Sequence, residues 1–439
     1  MRIAFVSQPW DYGFPPTESI AILIWEMGRR LAASPREHEV IVYARTDPDD
    51  ERDELHEGVT YRYLPIRFPR TVNRMEGLAE GRPGLRLFAS SLYHADYALE
   101  VARDLREQPC DLVVVNNFSQ FLPVVRRANR TARVFLYMHC DWLSTLNTRR
   151  LARRLRHADL VLGVSDWVTE GARTALPVPE ERFATLHPGV DTVAFSPGTP
   201  SRDRRRKLVF VNRISPEKGV HILLEAFEKV LEQVPDVELD IVGDEQVVPE
   251  EMLVALSDDW RVQDLRRFYG RSYREILKEQ LSPAAASRVT FSGWIPRPEV
   301  ADHFRSADIY VSASLWEPFG LGVVEAMACR LPVVATRVGG MTETVDEGST
   351  GFLVEPGDPA ALAEPLVRLL QNDELRLAIG AAGRRRVLKR FTWDRAVEML
   401  LTHYERCQQP IAGPRGRVDR NASRIAAASS GQGRPSPRP

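Results

Sequence analysis

Short apolar runs alternate with segments of helical periodicity along the first 190 residues. The apolar runs predict strands at residues 2–7, 39–44, 60–64, 111–116, 133–139, 160–165 and 183–187. The periodic segments predict helices at residues 19–33, 85–107 and 167–176. Nearly continuous Val/Ile/Leu strands separated by helices are typical of a parallel sheet that is covered on both faces. The pattern therefore predicts a doubly wound, Rossmann-like α/β domain.

The same alternation starts again in the second half of the chain. It predicts strands at residues 207–212, 238–243, 288–293, 308–313 and 332–335, and helices at 220–234, 297–306, 321–328 and 359–371. We therefore predict two domains, residues 1–191 and 207–390, with a linker at 192–206 and a closing helix within 391–408. Ligands of such sheets bind at the carboxyl ends of the strands, so two facing domains place a site in the cleft between them.

Composition changes the picture mainly at the end of the chain. Residues 409–439 are rich in Pro, Gly, Ser and Arg, with six arginines and one aspartate, and they predict a disordered tail. Removing the tail's +5 from the net charge of −1 leaves about −6 for the body. A mildly acidic body argues against a nucleic-acid partner, which requires clustered positive charge.

Several classes of protein are excluded by simple patterns. No run approaches the roughly 18 apolar residues of a membrane-spanning helix. The first apolar run lacks a cleavage site and reads as a strand, so we expect a cytoplasmic protein. The four cysteines are widely spaced and predict neither disulfides nor a zinc site. The basic stretch 149–156 is either a solvated helix face or a point of peripheral membrane contact.

The densest chemical signal is residues 314–328, SLWEPFGLGVVEAMA, which follows a predicted strand and leads into a helix. Such a turn exposes backbone N–H groups at a helix N-terminus, where a phosphate is stabilised by unpaired donors and the helix dipole. Glu317 and Glu325 lie eight residues apart in it. A glutamate pair alone carries little weight, because this chain is rich in acidic residues.

The stretch resembles the E-x7-E signature of the retaining GT-B nucleotide-sugar glycosyltransferases of family 4. Other elements agree with that family in order: the R-x4-K-G element at 213–219, the Gly-Gly-x-x-Glu turn at 339–343, and the interdomain motif at 188–191, with Pro188 where Asn is usual. The resemblance covers residues 1–408. It implies a GT-B fold, in which two Rossmann-like domains face each other across a cleft, an N-terminal one for the acceptor and a C-terminal one for the donor.

The resemblance also implies roles for individual residues. The catalytic set that it implies is His139, Arg213, Lys218 and Glu317, and the donor-binding set is Gly243, Gly293, Phe319, Gly320, Leu321 and Glu325. Arg213 and Lys218 would stabilise the diphosphate leaving group, as fixed cations do for developing negative charge. Glu317 would hold the donor sugar, and Glu325 would accept hydrogen bonds from ribose hydroxyls.

Two features depart from the family pattern. The loop after the first strand has Gly13 alone where the family carries a glycine pair, and Thr17 and Ser19 could supply phosphate donors there as helix N-cap residues. The segment 245–287 is longer than the family needs. It is either an extra helical pair or a lid beside the acceptor.

The implied function is transfer of a hexosyl group, with retention, from a nucleotide-diphosphate sugar to a small-molecule, saccharide or lipid-linked acceptor. A UDP-sugar is the first guess for the donor, and no cofactor or metal is expected. Asp47-Pro48-Asp49 has the spacing of a metal-binding Asp-x-Asp, but its acidic surroundings favour a solvated loop at 47–54. The alternatives are a phosphorylase or pseudo-glycosyl coupling enzyme, and a non-catalytic nucleotide-sugar binder. The sequence leaves the oligomeric state open.

Overall fold

The computed structural model describes residues 1–11, 13–46, 52–65, 89–198 and 206–409. Within these ranges the strands form one sheet of eight strands and one of six. Three predicted features lie outside the described residues: the tail beyond Gln409, residues 199–205 of the linker, and the Asp47-Pro48-Asp49 triplet.

The first sheet is built from the N-terminal half of the chain. Its strands are β1 (Arg2–Val6), β2 (Glu39–Thr46), β3 (Arg52–His56), β4 (Val59–Pro65), β5 (Leu112–Asn116), β6 (Arg133–Met138), β7 (Leu160–Gly163) and β8 (Phe183–Thr185). They lie in the order β3-β4-β2-β1-β5-β6-β7-β8. The flanking helices are α1 (Ser19–Ala32), α2 (Ala95–Glu107), α3 (Leu122–Ala128), α4 (Trp142–Thr145), α5 (Thr148–Leu155) and α6 (Asp166–Ala175).

The central strands of this sheet are mostly apolar because both of their faces are buried. In β1, Ile3 pairs with Val40 of β2 on one side and with Leu112 of β5 on the other. All five residues of β5 are buried. The predicted parallel, doubly wound arrangement is confirmed, with one exception at the edge.

The exception is β3, which pairs antiparallel with β4. Part of this strand, Arg52–Glu54, was expected in an acidic loop, and that expectation is wrong. Arg62 of β4 explains the difference, because its guanidinium contacts Asp53 at 2.8 Å and Asp104 of α2 at 2.8 Å. A charged edge strand of this kind also discourages pairing with other chains.

The second sheet is parallel throughout its described strands. These are β9 (Arg206–Val211), β10 (Val237–Val242), β11 (Val289–Gly293), β12 (Ile309–Ser312), β13 (Val333–Thr336) and β14 (Gly351–Val354), in the order β11-β10-β9-β12-β13-β14. The helices of this half are α7 (Val220–Gln233), α8 (Trp260–Gln263), α9 (Tyr273–Glu279), α10 (Pro283–Ala286), α11 (Arg297–Ser306), α12 (Leu321–Ala328), α13 (Met341–Thr344), α14 (Pro359–Gln371) and α15 (Asp373–Arg390).

The long segment 245–287 is a chain of short helices packed on α7. Leu265, Tyr273 and Leu277 are buried in the core of this half. The Tyr273 hydroxyl lies 2.6 Å from Nδ1 of His221 in α7, and it accepts the His221 backbone N–H at 3.1 Å. The expected single helical pair is therefore too simple, although its packing role is as predicted.

The last helix, α16 (Trp393–Gln408), returns to the first half of the chain. It packs on α1, with ion pairs from Arg30 to Asp394 at 3.3 Å and from Arg36 to Glu405 at 2.9 Å. Where the chain crosses back, the Val190 backbone N–H donates to the Phe391 carbonyl at 2.9 Å. In the described ranges no helix combines the length and the apolarity that crossing a membrane requires.

Candidate active site

The candidate site lies at the points where each sheet reverses its strand order. β1 lies between β2 and β5, and β9 lies between β10 and β12, so the connections leave each central strand toward opposite sides. This is where open α/β sheets bind ligands, beyond the carboxyl ends of the strands. Asn116 and Asn117 follow one switch point, and Arg213 and Glu317 follow the other.

Lys218 and Glu317 form a buried ion pair at the second switch point. Lys218 Nζ lies 2.8 Å from Glu317 Oε2, and their side chains are only 5% and 12% exposed. Lys218 ends a 3₁₀ turn, Pro216–Lys218, after β9, while Glu317 follows β12. Ninety-nine residues separate the two in the chain, and the neighbouring strands β9 and β12 bring them together.

Glu317 is held in its ionised form by its surroundings. Burial raises its pKa, but the charge of Lys218, with hydrogen bonds from Lys218 and from the backbone N–H groups of Gly320 and Phe319, outweighs burial and lowers it. The Gly320 N–H donates to Glu317 Oε1 at 3.1 Å. Gly320 is the N-cap of α12 and has φ +90°, which is open to glycine but strained for other residues.

Glu325 lies inside α12 and is paired with a residue that sequence reasoning missed. Its Oε1 accepts a hydrogen bond from Arg297 of α11 at 2.6 Å, and its side chain is 4% exposed. Burial raises the pKa of Glu325, and the Arg297 charge opposes that rise. Arg297 also lies over the ring of Phe195 at 5.2 Å from its centre.

Arg213 points to a neighbour in its own motif. Its guanidinium contacts Glu217 Oε1 at 2.9 Å, and its side chain is 32% exposed, whereas that of Glu217 is fully buried. Glu217 also accepts a hydrogen bond from the Ser215 hydroxyl. The R-x4-K-G element therefore presents one partly open cation, Arg213, and one buried cation, Lys218.

Glycines let the surrounding turns approach closely. A Cβ at Gly339, where φ is +48°, would collide with the Glu317 carbonyl oxygen, so the Gly-Gly turn packs directly on the Glu317 backbone. Gly243 has φ +137°, and its N–H donates to the Gly293 carbonyl at 2.8 Å. The two donor-binding glycines predicted on different strands are therefore hydrogen-bonded neighbours. Phe319 is buried and lies 6.0 Å from His187, while Leu321 begins α12.

His139, at the end of β6, is held by two asparagines at the end of β5. Asn116 Nδ2 donates to the Val6 carbonyl at 3.0 Å, which fixes its amide orientation. Its Oδ1 lies 2.9 Å from His139 Nε2, so that nitrogen must carry the proton, leaving Nδ1 as the acceptor. Burial lowers the pKa of His139 to about 3, so the ring is neutral.

Asn117 orders the first loop as well as His139. It has φ +60°, an uncommon value for a residue other than glycine and a kind of strain concentrated at functional sites. Its Oδ1 accepts the His139 backbone N–H at 2.8 Å, and its Nδ2 donates to Gln8 Oε1 at 3.0 Å. One side chain therefore ties the β1 loop to the His139 turn.

The loop residues predicted to meet phosphate have other surroundings. A Cβ at Gly13, where φ is +91°, would collide with the Tyr63 ring, so this glycine serves packing against β4. Thr17 and Ser19 are exposed, and the N-cap of α1 is Glu18, which makes no capping hydrogen bond with its side chain. Neither hydroxyl residue is therefore the N-cap of α1, and the proposed contact of Thr17 and Ser19 with phosphate stays a prediction.

Contacts across the cleft bring the two halves of the site together. Burial raises the pKa of Asp141, two residues after His139, and a hydrogen bond from Trp316, beside Glu317, opposes the rise. Near the start of α1, Glu18 Oε1 accepts from Gln246 Nε2 at 3.2 Å. The His139 turn and the Glu317 turn therefore face each other.

Glu343 forms a second bridge, which we call the interdomain clasp (Asp166, Trp167, His187 and Glu343). Its carboxylate accepts the backbone N–H groups of Asp166 and Trp167 at 2.7 Å each, at the start of α6. His187 Nε2 lies 3.1 Å from the same carboxylate. The side-chain ligand atoms of Asp166, His187 and Glu343 lie within 4.8 Å of one another, a spacing that could hold a metal ion, although both Glu343 oxygens already act as acceptors.

Family comparisons agree with this geometry. The model of glycosyl transferases group 1 matches residues 194–386, and that of glycosyltransferase family 4 matches residues 20–194. A GDP-mannose-dependent alpha-(1-6)-phosphatidylinositol monomannoside mannosyltransferase of Mycolicibacterium smegmatis is 31% identical over 293 residues, which are 62% of this chain and 69% of that protein. This chain is a family 4 glycosyltransferase.

Other relatives of this glycosyltransferase match along most of its length. Spore coat protein SA of Bacillus subtilis is 25% identical over 391 residues, 84% of this chain and 91% of that protein. The structure of HepE of Anabaena in complex with UDP-glucose superposes with a TM-score of 0.65 at 20% identity, and the match covers 92% of this chain and 100% of that one. The predicted GT-B fold is thus confirmed.

The glycosyltransferase site contains residues that the sequence did not single out. Asn116, Asn117 and Arg297 all contact predicted site residues. Two consecutive asparagines at the end of an apolar strand were a readable signal. Arg297 gave none, because charged residues are common beside such turns. Glu217 was foreseen as a possible ion-pair partner of Arg213 or Lys218, and it pairs with Arg213.

Proposed function

We propose that this glycosyltransferase transfers a hexosyl group, with retention, from a nucleotide-diphosphate sugar to an acceptor hydroxyl, without a metal ion and in the cytoplasm. The observation that carries the proposal is the buried Lys218–Glu317 pair at the central strands of the second sheet. An ion pair in this position is costly to build for stability alone, because removing two charges from water offsets most of their attraction.

The charges fit the departure of a nucleoside diphosphate. As the bond from the sugar C1 to the phosphate oxygen breaks, negative charge grows on that oxygen, and fixed cations lower the barrier. Lys218 has further N–H donors beyond the one directed at Glu317, and Arg213 is partly open to the cleft. Glu317 would then hold donor-sugar hydroxyls, while Glu325 and Arg297 would meet the ribose.

His139 would act as a neutral hydrogen-bonding group at the sugar. General acid catalysis by His139 near neutral pH is disfavoured, because its pKa is low and its Nε2–H is already bonded to Asn116. Glu317 is engaged by Lys218, so we favour attack on the same face of the sugar. The acceptor oxygen bonds to C1 as the phosphate leaves, and a phosphate oxygen takes the acceptor proton.

The donor is proposed from chemistry shared with relatives. A UDP-sugar is the first choice, since the structure similar to this chain was determined with UDP-glucose. GDP-mannose is the second, since it is named for the mannosyltransferase relative. The acceptor would be a small molecule, a saccharide or a lipid-linked sugar bound by the N-terminal half.

A donor screen tests the proposal. The melting temperature should rise with one of the UDP-, GDP-, ADP- or dTDP-sugars, because a ligand that binds only the folded state stabilises it. The protein should then release the matching nucleoside diphosphate, in excess chelator, and NMR of the product should show the donor's anomeric configuration. Inversion would refute retention. Turnover that requires inorganic phosphate would favour a phosphorylase, and binding without donor hydrolysis or transfer would favour a non-catalytic binder.

A further inference from the structure

A second site lies in the N-terminal half, in a groove beside α3 and α5. The groove has a volume of about 460 Å³ and is lined by six arginines, which we call the arginine groove: Arg127, Arg149, Arg150, Arg153, Arg154 and Arg156. The groove contains none of the donor residues around Lys218 and Glu317. In the chain, α5 follows α4, the short helix that comes after His139.

Among the residues that the structure describes, no carboxylate compensates the charge of the arginine groove. Within the described ranges, none of its lining residues is acidic and none of the six arginines forms an ion pair. Nearby arginines outside the groove behave differently: Arg126 and Arg133 both pair with Asp159. The Asp159 carboxylate of this region therefore pairs with arginines outside the groove.

Arg154 is the buried member of the set. It is 5% exposed, and its hydrogen bonds within the described part of the chain go to neutral oxygens, the Ala89 carbonyl at 3.0 Å and the Ser91 hydroxyl at 2.9 Å. Burial and the charge of Arg150 lower its pKa to about 10. A buried cation without a counter-ion is costly, and such groups are typically paired or bound to a ligand.

The pKa of His157, at the end of the groove, is affected by the same positive charges. Burial lowers its pKa, and the charges of Arg156, Arg127 and Arg126 lower it further. Its Nε2 lies 3.1 Å from the Arg156 Nε–H, which it can accept only while neutral. The region therefore repels a further proton, and it should attract an anion for the same reason.

Helix electrostatics account for only part of this arrangement. Arg153 and Arg154 lie in the last turn of α5, where the helix dipole favours a cation by about 0.3–1 kcal/mol. Arg149 and Arg150 lie in its first turn, where the same dipole disfavours a cation and where the helix carries no acidic residue. The helix dipole therefore does not explain why α5 carries arginines in both its first and its last turn.

We propose that the arginine groove binds a ligand that carries phosphate groups, of the size of a sugar phosphate or a phospholipid headgroup. Guanidinium groups match phosphate oxygens with paired N–H donors, and several of them around one concave site neutralise the double charge of a phosphate ester. The proposal does not rest on the donor chemistry of the cleft, since it uses none of the same residues.

The test uses the full chain and inorganic pyrophosphate. The imidazole resonance of His157, assigned with His157→Gln, is followed against pH with and without pyrophosphate. Bound anion should raise the His157 pKa by about one unit, since it cancels the repulsion from the arginines. This local readout separates the groove from the cleft, which also binds diphosphate if the proposed function is right.

Variants and a lipid arm complete the test. The double variant Arg150→Gln/Arg153→Gln, which changes exposed residues, should weaken the pyrophosphate effect at least tenfold, while Arg385→Gln, an exposed arginine of α15, should leave it unchanged. In parallel, co-sedimentation is measured with vesicles of phosphatidylcholine, with and without phosphatidylglycerol. A pyrophosphate response alone supports a soluble phosphate ester, and phosphatidylglycerol-dependent binding lost in the double variant supports a headgroup. If neither probe responds, or the double variant behaves like Arg385→Gln, the proposal is wrong.

Discussion

At the scale of single residues, the site is made of charges and amides whose states are fixed by one or two neighbours. Lys218 keeps Glu317 ionised, and Asn116 selects the tautomer of His139. The Lys218–Glu317 contact joins residues 99 positions apart in the chain, and the Asn116–His139 contact joins residues 23 positions apart. The sequence identified three of these four residues, but not the protonation states that make them useful.

Lys218→Ala should lower kcat for donor turnover by about 10²–10³, the usual effect of removing one electrostatic contact to the transition state. KM for the donor should change less. Lys229→Ala, an exposed lysine of α7, is the matched control and should leave both constants unchanged. Melting temperatures are measured alongside, because the change leaves Glu317 buried without its partner. A folded Lys218→Ala enzyme with normal kcat would remove Lys218 from the mechanism.

Asn116→Asp should create a new acid limb in the pH profile. A carboxylate beside His139 Nε2 raises the pKa of the imidazole, which stands at about 3 in the native protein. Activity should then fall as pH drops through the raised value, while the wild type shows no such limb between pH 5 and 8. The measurement is kcat/KM for donor hydrolysis against pH. Identical profiles for the two proteins would contradict the assigned role of Asn116.

Asp11→Asn should stabilise the protein at pH 8 and have little effect at pH 4. Burial raises the Asp11 pKa from 3.8 to about 7, and its Oδ1 is buried without a hydrogen-bond partner. The folded state thus holds a proton that the unfolded state releases, so stability is lost as pH rises from about 4 to 7. At one pKa unit per about 1.4 kcal/mol, the gain at pH 8 is at most about 4 kcal/mol. Urea unfolding at both pH values checks it, and an equal effect at both would contradict it.

At the scale of elements, the donor side depends on how closely two turns pack. The Gly-Gly turn before α13 lies on the backbone of the Glu317 turn before α12, and the Gly340 N–H donates to the Glu317 carbonyl at 3.0 Å. The position of Glu317 is therefore set by a neighbouring strand connection. Its immediate sequence surroundings do not determine it alone.

Gly339→Ala should destabilise the protein by about 3 kcal/mol, because it combines a strained φ of +48° with a collision against Glu317. Gly348→Ala is the matched control: its φ is +71°, but no atom lies within 4 Å of the added Cβ, so it should cost only about 1 kcal/mol. Donor turnover should fall at least tenfold in the first variant alone. Equal unfolding midpoints in urea would show that the close approach is unimportant.

Helices and strands were predicted correctly where their buried residues form a recognisable hydrophobic pattern in the sequence. The bounds of α11, α12 and α14 were predicted without error, since each has an apolar face or a clear cap. The 18-residue helix α15 was missed, because its buried face includes Gly380 and Gly383, and a Cβ at Gly380 would collide with the Arg330 carbonyl. A helix that packs through glycine and arginine has no apolar stripe to detect. Strand β14 was also missed.

At the scale of the whole molecule, the two halves are joined by polar contacts around the cleft. The motifs predicted the two-sheet fold, and the structure brings Lys218 and Glu317 together, while the donor-binding roles stay predictions. They could not predict the interdomain clasp or the return of α16 to α1. Contacts between the two halves produce no hydrophobic periodicity in the sequence of either segment. The arginine groove was visible only as a basic stretch whose surroundings were unknown.

Glu343→Gln should favour an open arrangement of the two halves. The amide can accept only one of the two backbone N–H donors of α6, and losing a charged acceptor costs about 1.5–3 kcal/mol. The radius of gyration from small-angle X-ray scattering should increase and donor affinity should fall. Glu364→Gln, an exposed residue of α14, should alter neither. Unchanged scattering from Glu343→Gln would show that the clasp does not hold the halves together.

The chain crosses between the two halves near Val190 and again near Thr392, and the two crossing segments are hydrogen-bonded to each other. Val190 on the outgoing passage pairs with Thr392 on the returning one, and a Cβ at Gly189 would collide with the backbone at Thr392 and Trp393. Because the two crossings are paired at this point, we expect the cleft to open and close mainly by rotation about it. One spectroscopic distance across the cleft, between labels near Glu18 and Gln246, would therefore measure how far the cleft is open.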